Sequence, residues 1–126
     1  MCGHTDFLIG VARLQPPAID RMKELVDREE VIFTTIINVA ECYAGAFRSG
    51  TKNAIEAAKQ YIKDFSILVF EQSALIWGKL YNQLRSSNIG DRDLFIASIA
   101  LSNGQELITK NIRHFERVPN LSIESW

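Results

Sequence analysis

The sequence of 126 residues predicts an α/β fold built on a mostly parallel sheet of four or five strands. Two observations support this prediction. Short apolar and β-branched runs alternate along the chain with longer segments whose apolar residues lie three or four positions apart, and such alternation is typical of β–α units. The segment from Arg92 to Ser102 is apolar nearly all round, as expected of a helix buried between layers. Helices are therefore expected on both faces of the sheet.

The first half of the chain shows this alternation from its start. Pro16 favours the first turn of a helix. Either Thr34 or Thr35 can cap the next helix, which Gly50 ends, and Thr51 can cap the one after it. In chain order the predicted elements are a strand over residues 1–9, a helix from Pro16, a strand over 31–33, helices over 36–48 and from Thr51, and a strand over 67–69.

The second half continues with two helices and two strands. A helical pattern covers residues 72–87 and is followed by a break before Asp91. Asp91 is a good N-cap for the buried helix over residues 92–102. Residues 107–108 and 121–123 are then predicted to form the last two strands, so that strands alternate with helices to the end of the chain.

Composition excludes several classes of protein. Hydrophobic residues make up 47% of the chain and charged residues 23%, so we expect one folded domain over residues 1–126. Lys and Arg (14) nearly balance Asp and Glu (15), so any binding of nucleic acid must depend on local chemistry. No apolar run approaches the roughly 18 residues of a membrane span, and Cys2 and Cys42 form no metal-binding pair. A cytoplasmic protein without membrane association is expected.

Several carboxylates are predicted near the carboxyl ends of the strands, where parallel sheets bind ligands. Asp6 would end the first strand, Glu41 lies two turns into a helix, and Asp91 and Asp93 occupy the first turn of another helix. Glu41 has mostly apolar neighbours in sequence, where an unpaired carboxylate is costly, so it needs either a metal ion or a nearby Arg or Lys. Asp93 could instead stabilise its own helix dipole.

A divalent cation is the simplest partner for such acids. Carboxylates that converge without matching basic residues repel one another, and a hard cation bound through oxygen relieves that repulsion. Mg²⁺ or Mn²⁺ at such a site can lower the pKa of an attacking water and stabilise the leaving oxygen of a phosphodiester. Phosphoryl chemistry of this kind needs no His, Ser or Cys nucleophile.

Four segments occur in an order that is specific, although each is weak alone. They read TDFLI, NVAECYAGA, IGDRDLFIA and TKNIRHF, and begin at residues 5, 38, 89 and 109; Arg117, Val118 and Pro119 follow the last. In these segments the chain resembles the PIN-domain family, in particular the VapC-type toxin ribonucleases of prokaryotic toxin–antitoxin pairs. The resemblance covers nearly the whole chain and implies a PIN-like three-layer α/β/α sandwich that acts as a divalent-metal-dependent endoribonuclease.

The resemblance also implies roles for particular residues and partners. Glu41 and Asp93 match two acidic positions of the family and would bind Mg²⁺ or Mn²⁺. The partners implied are an RNA substrate, an antitoxin protein that occludes the site, and a second copy of the chain in a homodimer. The further residues assigned to the site are Asp6 and Asp91 as additional candidate acids, and Thr5, Thr109 and Asn111 as supporting polar groups.

The chain departs from the family pattern at His4. The family typically has Leu-Asp-Thr-Asn or Leu-Asp-Thr-Asp where residues 3–6 read Gly-His-Thr-Asp. His4 is nevertheless counted with Glu41 and Asp93 among the candidate metal ligands, because an imidazole can ligate a metal. It removes a negative charge, however, and suits zinc and later transition metals better than Mg²⁺. A loss of catalysis, an altered metal preference and a changed amino terminus all remain open. The alternative function is therefore a catalytically silent PIN-like module that binds RNA or an antitoxin without cleavage.

Basic and aromatic residues near the predicted acids have two interpretations. Arg48, Lys110 and Arg113 flank the acidic centre and are candidates for RNA contacts, although they could be ordinary solvated charges. Trp77 and Tyr81, at helical spacing, are interpreted as core or partner-facing residues rather than a base-stacking platform.

Overall fold

Five parallel strands form the sheet. The computed structural model describes residues 1–68, 73–86 and 88–126. The strands are β1 (Cys2–Gly3), β2 (Phe33–Thr35), β3 (Ser66–Leu68), β4 (Leu107–Ile108) and β5 (Ile123–Glu124). Their order is β3-β2-β1-β4-β5, and each neighbouring pair is parallel. The predicted α/β class and the parallel five-stranded sheet are confirmed.

Helices connect these strands. Thr35 caps α3 by accepting a hydrogen bond from Asn38 N, and Gly50 ends that helix with φ 73°, in the left-handed region that favours glycine. Among the helices that the structure describes, none combines the length and apolar character needed to cross a membrane. They are α1 (Thr5–Ala12), α2 (Pro16–Asp27), α3 (Ile36–Ser49), α4 (Lys52–Ile62), α5 (Ala74–Gln83), α6 (Asp91–Ser102) and α7 (Ile112–Phe115).

Each face of the sheet carries its own apolar cluster. Consecutive residues of a strand point to opposite faces, and in β4 Leu107 and Ile108 belong to different clusters. Leu107 packs in the cluster that includes Ile96 of α6, whereas Ile108 packs with Phe7 of α1 and Leu25 of α2. Helices therefore cover both faces, and the chain has the three layers that the sequence predicts.

The predicted strand over residues 1–9 is wrong beyond Gly3. A helix, α1, begins at Thr5, and His4 is its N-cap residue with extended backbone angles (φ −72°, ψ 161°). A short apolar run is compatible with either a strand or a buried helix, which is why periodicity alone did not identify α1. Asp6 consequently lies in the first turn of α1 and not at the end of a strand.

Other differences concern the ends of elements. Asp91 is the first residue of α6 and not its cap, because Gly90 occupies the cap position with φ 78°, which glycine adopts without strain. The second and last strands lie one or two residues further along the chain than predicted. The predictions for Val69, Gln72 and Ser87 lie outside the described residues.

The close approach of two elements at Gly10 gives a test of this packing. A Cβ atom at Gly10 would lie 2.6 Å from Trp126 Cη2 and 3.0 Å from Ala18 Cβ. The Trp126 ring cannot retreat freely, because its Nε1 donates a hydrogen bond to Asp6 Oδ1 at 3.2 Å. We expect Gly10→Ala to lower the free energy of unfolding by about 1–3 kcal/mol, the cost typical of overpacking. Urea titration measures this change.

The matched control is Gly78→Ala in α5. Nothing lies within 4 Å of a Cβ placed there, so the change should raise the free energy of unfolding by about 0.5–1 kcal/mol through helix propensity alone. Similar urea midpoints for the two variants would contradict the packing of Trp126 on α1.

Candidate active site

The candidate site residues lie around the point where the strand order of the sheet reverses, which is called its switch point. The chain runs from β1 outwards through β2 to β3, whereas β4 and β5 extend the sheet on the other side of β1. Ligands of parallel sheets bind beyond the carboxyl ends of strands at such a point, here between β1 and β4. His4 follows β1, and Thr109 follows β4. Helices α3 and α6 contribute Glu41 and Asp93.

Three of the predicted metal-binding residues face one cavity of about 640 Å³, which we call the acidic cavity. Glu41 and Asp93, from stretches of chain 52 residues apart, both line it, and so does His4. Both carboxylates keep part of their surface exposed, 28% for Glu41 and 22% for Asp93. The remaining lining residues are Ile89, Gly90, Asp91 and Arg92.

A chain of buried hydrogen bonds orients Glu41. Thr5 Oγ1 donates to Glu41 Oε1 at 3.2 Å and accepts from Asn38 Nδ2 at 2.8 Å. Asn38 is fully buried, and its Oδ1 accepts from the hydroxyl of Thr35 at 2.7 Å. Asn38 was not singled out as a site residue from the sequence, although it lies in a segment that carries the family resemblance. A polar side chain at a helix start among apolar residues was the available signal.

One arginine lies next to Glu41, and two others line a cavity that Glu41 also lines. Arg92 Nη1 lies 3.9 Å from Glu41 Oε2, but Arg92 is 78% exposed, so this ion pair is weak. Arg48, a predicted RNA contact, lines a second cavity of about 480 Å³ together with Glu41, Arg13 and Arg92. We call this the basic cavity. Arg13 and Arg92 were missed because only the fold brings them to Glu41.

His4 lies between two carboxylates. Its Nε2 is 3.3 Å from Asp93 Oδ1 and its Nδ1 is 3.5 Å from Asp6 Oδ2. Burial by itself would lower the pKa of His4, but the hydrogen bonds and charges of Asp6 and Asp93 outweigh burial and raise that pKa to about 9. At neutral pH the side chain is therefore an imidazolium that offsets part of the negative charge of the site.

Asp6 connects α1 with the segment after β4. Its Oδ2 accepts hydrogen bonds from Thr109 Oγ1 at 2.7 Å and Lys110 N at 3.0 Å. Burial would raise the pKa of Asp6, but His4 and the hydrogen bonds from Thr109 and Trp126 lower it to about 2. Asp6 is not among the described residues that line the acidic cavity. Asp6 therefore contacts His4 and Thr109 without lining that cavity, and its role as an additional acid stays a prediction.

His114 holds Asp93 from the other side. His114 Nδ1 lies 2.9 Å from Asp93 Oδ2, and Nε2 lies 2.8 Å from the backbone oxygen of Asn88. Asn111, predicted as a supporting residue, contacts the same His114 Nδ1 through Nδ2 at 2.9 Å. Sequence patterns did not identify His114, because its partners lie 21 and 26 positions away along the chain.

The remaining basic candidates lie away from both cavities. Lys110 Nζ stands 4.0 Å from the centre of the Trp126 ring, in a cation–π contact. Arg113 is exposed on α7. In the described parts of the chain, neither residue lines the acidic or the basic cavity. The geometry thus brings only Arg48 of the three predicted RNA contacts to Glu41.

The donor set determines which kind of metal site the chain could form. In residues 1–68, 73–86 and 88–126, no group of three or more His, Cys, Asp or Glu side chains is arranged to hold a metal ion. Mg²⁺, however, usually retains several waters and is held by one or two carboxylates together with substrate phosphates. Glu41 and Asp93, which line one cavity, fit this coordination by few protein ligands. They do not fit a site in which protein ligands alone surround the ion.

This fold and its acids at the switch point define a class of protein. The model of the PIN domain family matches residues 5–121, and the chain belongs to the PIN-domain family.

Its relatives within that family are of the VapC type. Ribonuclease VapC1 of Haemophilus influenzae (strain R2866) is 32% identical over 127 residues, which cover 97% of this chain and 94% of the relative. VapBC2 from Rickettsia felis, solved bound to a DNA fragment from their promoter, has a TM-score of 0.85 at 25% identity and covers 99% of this chain and 97% of that one. VapBC-1 from nontypeable Haemophilus influenzae has a TM-score of 0.83 at 29% identity, with 99% and 96% covered. The recognition made from the four sequence segments is confirmed.

The position of His4 predicts how stability depends on pH. Because the pKa of His4 is about 9 in the folded chain and 6.5 without its partners, the folded state binds the proton more tightly. This contribution to stability is complete below pH 6.5 and is lost as the pH rises through 9. We expect a loss on the order of 2 kcal/mol over this window, measured by urea unfolding in EDTA.

His4→Gln is the control for this measurement. The variant lacks the titrating group, so the difference in unfolding free energy between the parent and His4→Gln should shrink across the same pH window. Parallel pH profiles for the two proteins would show that His4 does not link the carboxylates.

Proposed function

We propose that the chain is a divalent-metal-dependent endoribonuclease of the VapC type, which hydrolyses phosphodiester bonds of RNA. The observation that carries the proposal is the convergence of Glu41 and Asp93 on one cavity at the carboxyl edge of the sheet. The relative from Haemophilus influenzae that is named Ribonuclease VapC1 supports the substrate class.

Glu41 and Asp93 are the proposed ligands of the cation, Mg²⁺ or Mn²⁺. Two carboxylates and the phosphate of the substrate satisfy the usual preference of Mg²⁺ for oxygen donors, with water completing the shell. When bound, the cation would lower the pKa of an attacking water and stabilise the leaving oxygen. Asp91, exposed on the same cavity, is the candidate third acid.

The chain's own residues would position the acids and the substrate. The hydroxyl of Thr5, itself held by Asn38, leaves one Glu41 oxygen hydrogen-bonded and the other directed towards the exposed guanidinium of Arg92. The basic cavity, with Arg13, Arg48 and Arg92, offers positive charge for RNA phosphates in a chain whose net charge is −1. Binding of RNA is therefore expected to be local and sensitive to salt.

One observation favours the alternative function. The imidazolium of His4, between Asp6 and Asp93, already supplies positive charge at the position where the family has an acid. The repulsion that a cation would relieve is therefore smaller, and a silent module that binds RNA or an antitoxin without cleavage is the second candidate. An imidazolium does not activate a water as a bound metal does.

An antitoxin protein is the proposed partner, because the two solved neighbours described above, among others, are VapBC structures. The homodimer stays a prediction. We also propose a cytoplasmic location, which is supported by the free cysteines Cys2 and Cys42, since thiols persist in reducing compartments.

Removal of single carboxylates tests the catalytic assignment. We expect Glu41→Gln and Asp93→Asn each to lower RNA cleavage in Mg²⁺ or Mn²⁺ by roughly 10²–10³-fold, as the loss of one electrostatic group in an active site does. Asp27→Asn, at an exposed carboxylate at the end of α2, is the matched control and should cleave like the parent. Gel assays with structured and single-stranded RNA measure the rates. Equal cleavage by all four proteins would exclude the assignment.

Replacement of His4 by the family's acid separates the two candidate functions. We expect His4→Asp to tighten Mn²⁺ binding by roughly tenfold or more, because cation affinity rises with the number of ligand charges. Calorimetry measures that affinity, and the cleavage assay is repeated at saturating metal. Activity in the variant alone would identify the parent as the silent form, whereas activity in both supports the ribonuclease. Unchanged Mn²⁺ affinity would contradict the placement of position 4 at the metal.

A further inference from the structure

Three aromatic rings form a continuous stack next to the acidic cavity. The rings of Phe95 and Trp77 are 4.8 Å apart at 14°, and those of Trp77 and Tyr81 are 4.9 Å apart at 19°. The stack runs from α6 to α5 and ends at Tyr81, which is 49% exposed. Tyr81 is therefore stacked on Trp77 and keeps about half of its surface exposed, which leaves it open to a ligand, whereas its spacing in the sequence favoured a core or partner-facing role.

Tyr81 lines a third cavity, of about 460 Å³, which we call the aromatic cavity. Arg85 and Asn88 also line it. Three of its lining residues, Ile89, Gly90 and Asp91, line the acidic cavity as well. A group in the aromatic cavity would consequently lie one short segment of backbone away from Glu41 and Asp93.

We propose that the aromatic cavity is a nucleobase-binding subsite, in which Tyr81 stacks on the base of a nucleotide adjacent to the phosphate that is cleaved. This inference rests on the proposed function and extends it to specificity. Every base has a flat π face, and stacking on an exposed aromatic ring is the common way in which proteins hold unpaired nucleotides.

The surroundings of Tyr81 match a nucleotide in charge and polarity. Arg85, Asn88 and Asp91 are exposed and line the same cavity as Tyr81. A guanidinium can bind a phosphate, and amide and carboxylate groups can hydrogen-bond the edge of a base. Because Tyr81 is already stacked on Trp77, little side-chain entropy remains to be lost when a base binds.

The wall between the two cavities is fixed by His114. This side chain contacts Asp93 Oδ2 through Nδ1 and the backbone oxygen of Asn88 through Nε2. One imidazole thus connects a candidate catalytic acid with the loop that lines the base subsite. The contacts of His114 would therefore fix the position of a base on Tyr81 relative to the acids.

Binding of RNA without cleavage gives the cleanest test. The full chain carrying Glu41→Gln is titrated, in Mg²⁺, into a fluorescently labelled single-stranded RNA, and the anisotropy gives the affinity. Tyr81→Leu in this background should weaken binding between about 5-fold and 100-fold, the range for loss of one base stack. Tyr81→Phe keeps the ring and should bind like the background protein. Equal urea midpoints for the two Tyr81 variants confirm that folding is unchanged.

A set of RNAs with one abasic nucleotide each locates the stacked base without changing the protein. One abasic position should weaken binding to the background protein, and the same position should have no effect on the Tyr81→Leu variant. Equal affinities of Tyr81→Leu and Tyr81→Phe would overturn the subsite while leaving the ribonuclease assignment intact. If Tyr81→Leu instead changes the oligomeric state in gel filtration and no abasic position matters, the surface binds protein and the proposal fails.

The proposed function has its own readout in the same series. The parent chain is assayed for cleavage of the identical RNA. Cleavage by the parent with an abasic-sensitive Tyr81 supports both proposals, and RNA binding without cleavage supports the subsite in a silent module. Absence of both RNA binding and cleavage would overturn both.

Discussion

The neutralisation of carboxylates at the carboxyl edge of the sheet is the constraint on which this structure depends. A parallel sheet directs the ends of β1 and β4 to one place, and α3 and α6 add their own acids there. Isolated charges in a partly buried site are costly, so each acid needs a partner. In this chain an internal cation, His4, bridges Asp6 and Asp93, and hydrogen-bond donors from Thr5 and Thr109 satisfy further oxygens.

The contacts of His4 connect three helices at this edge of the sheet. His4 is the N-cap residue of α1, its ring packs edge-on against Phe115 at 5.3 Å, and it contacts both carboxylates, so one side chain connects the start of α1 with α6 and α7. An acid at position 4 would remove this bridge and add repulsion, which a divalent cation would then have to relieve. An acid at position 4 is therefore expected to lower stability in the absence of metal and to raise the affinity for metal.

Much of the fold was predictable, because the alternation of short β-branched runs with helical stripes is encoded locally. The acids Glu41 and Asp93 were identified by the family resemblance and by a carboxylate among apolar neighbours, although their roles stay predictions. The start of α1 was not predictable, since residues 7–9 suit a strand or a buried helix equally. The cap at Gly90 and the contacts of His114 depend on a positive φ and on partners distant in sequence, which no local pattern reports.

The three cavities follow one another along the surface, and their order constrains how a strand of RNA could lie. The basic cavity shares Glu41 and Arg92 with the acidic cavity, and the acidic cavity shares Ile89, Gly90 and Asp91 with the aromatic cavity. The acids thus stand between arginines on one side and a stacked tyrosine on the other. Acids alone would repel a phosphate backbone, so under the proposed function positive charge and the proposed base subsite would hold an RNA strand on either side of them. Under the proposed function, a chain with a net charge of −1 would need no large basic surface to bind RNA, because attraction would be required only next to the bond that is cleaved.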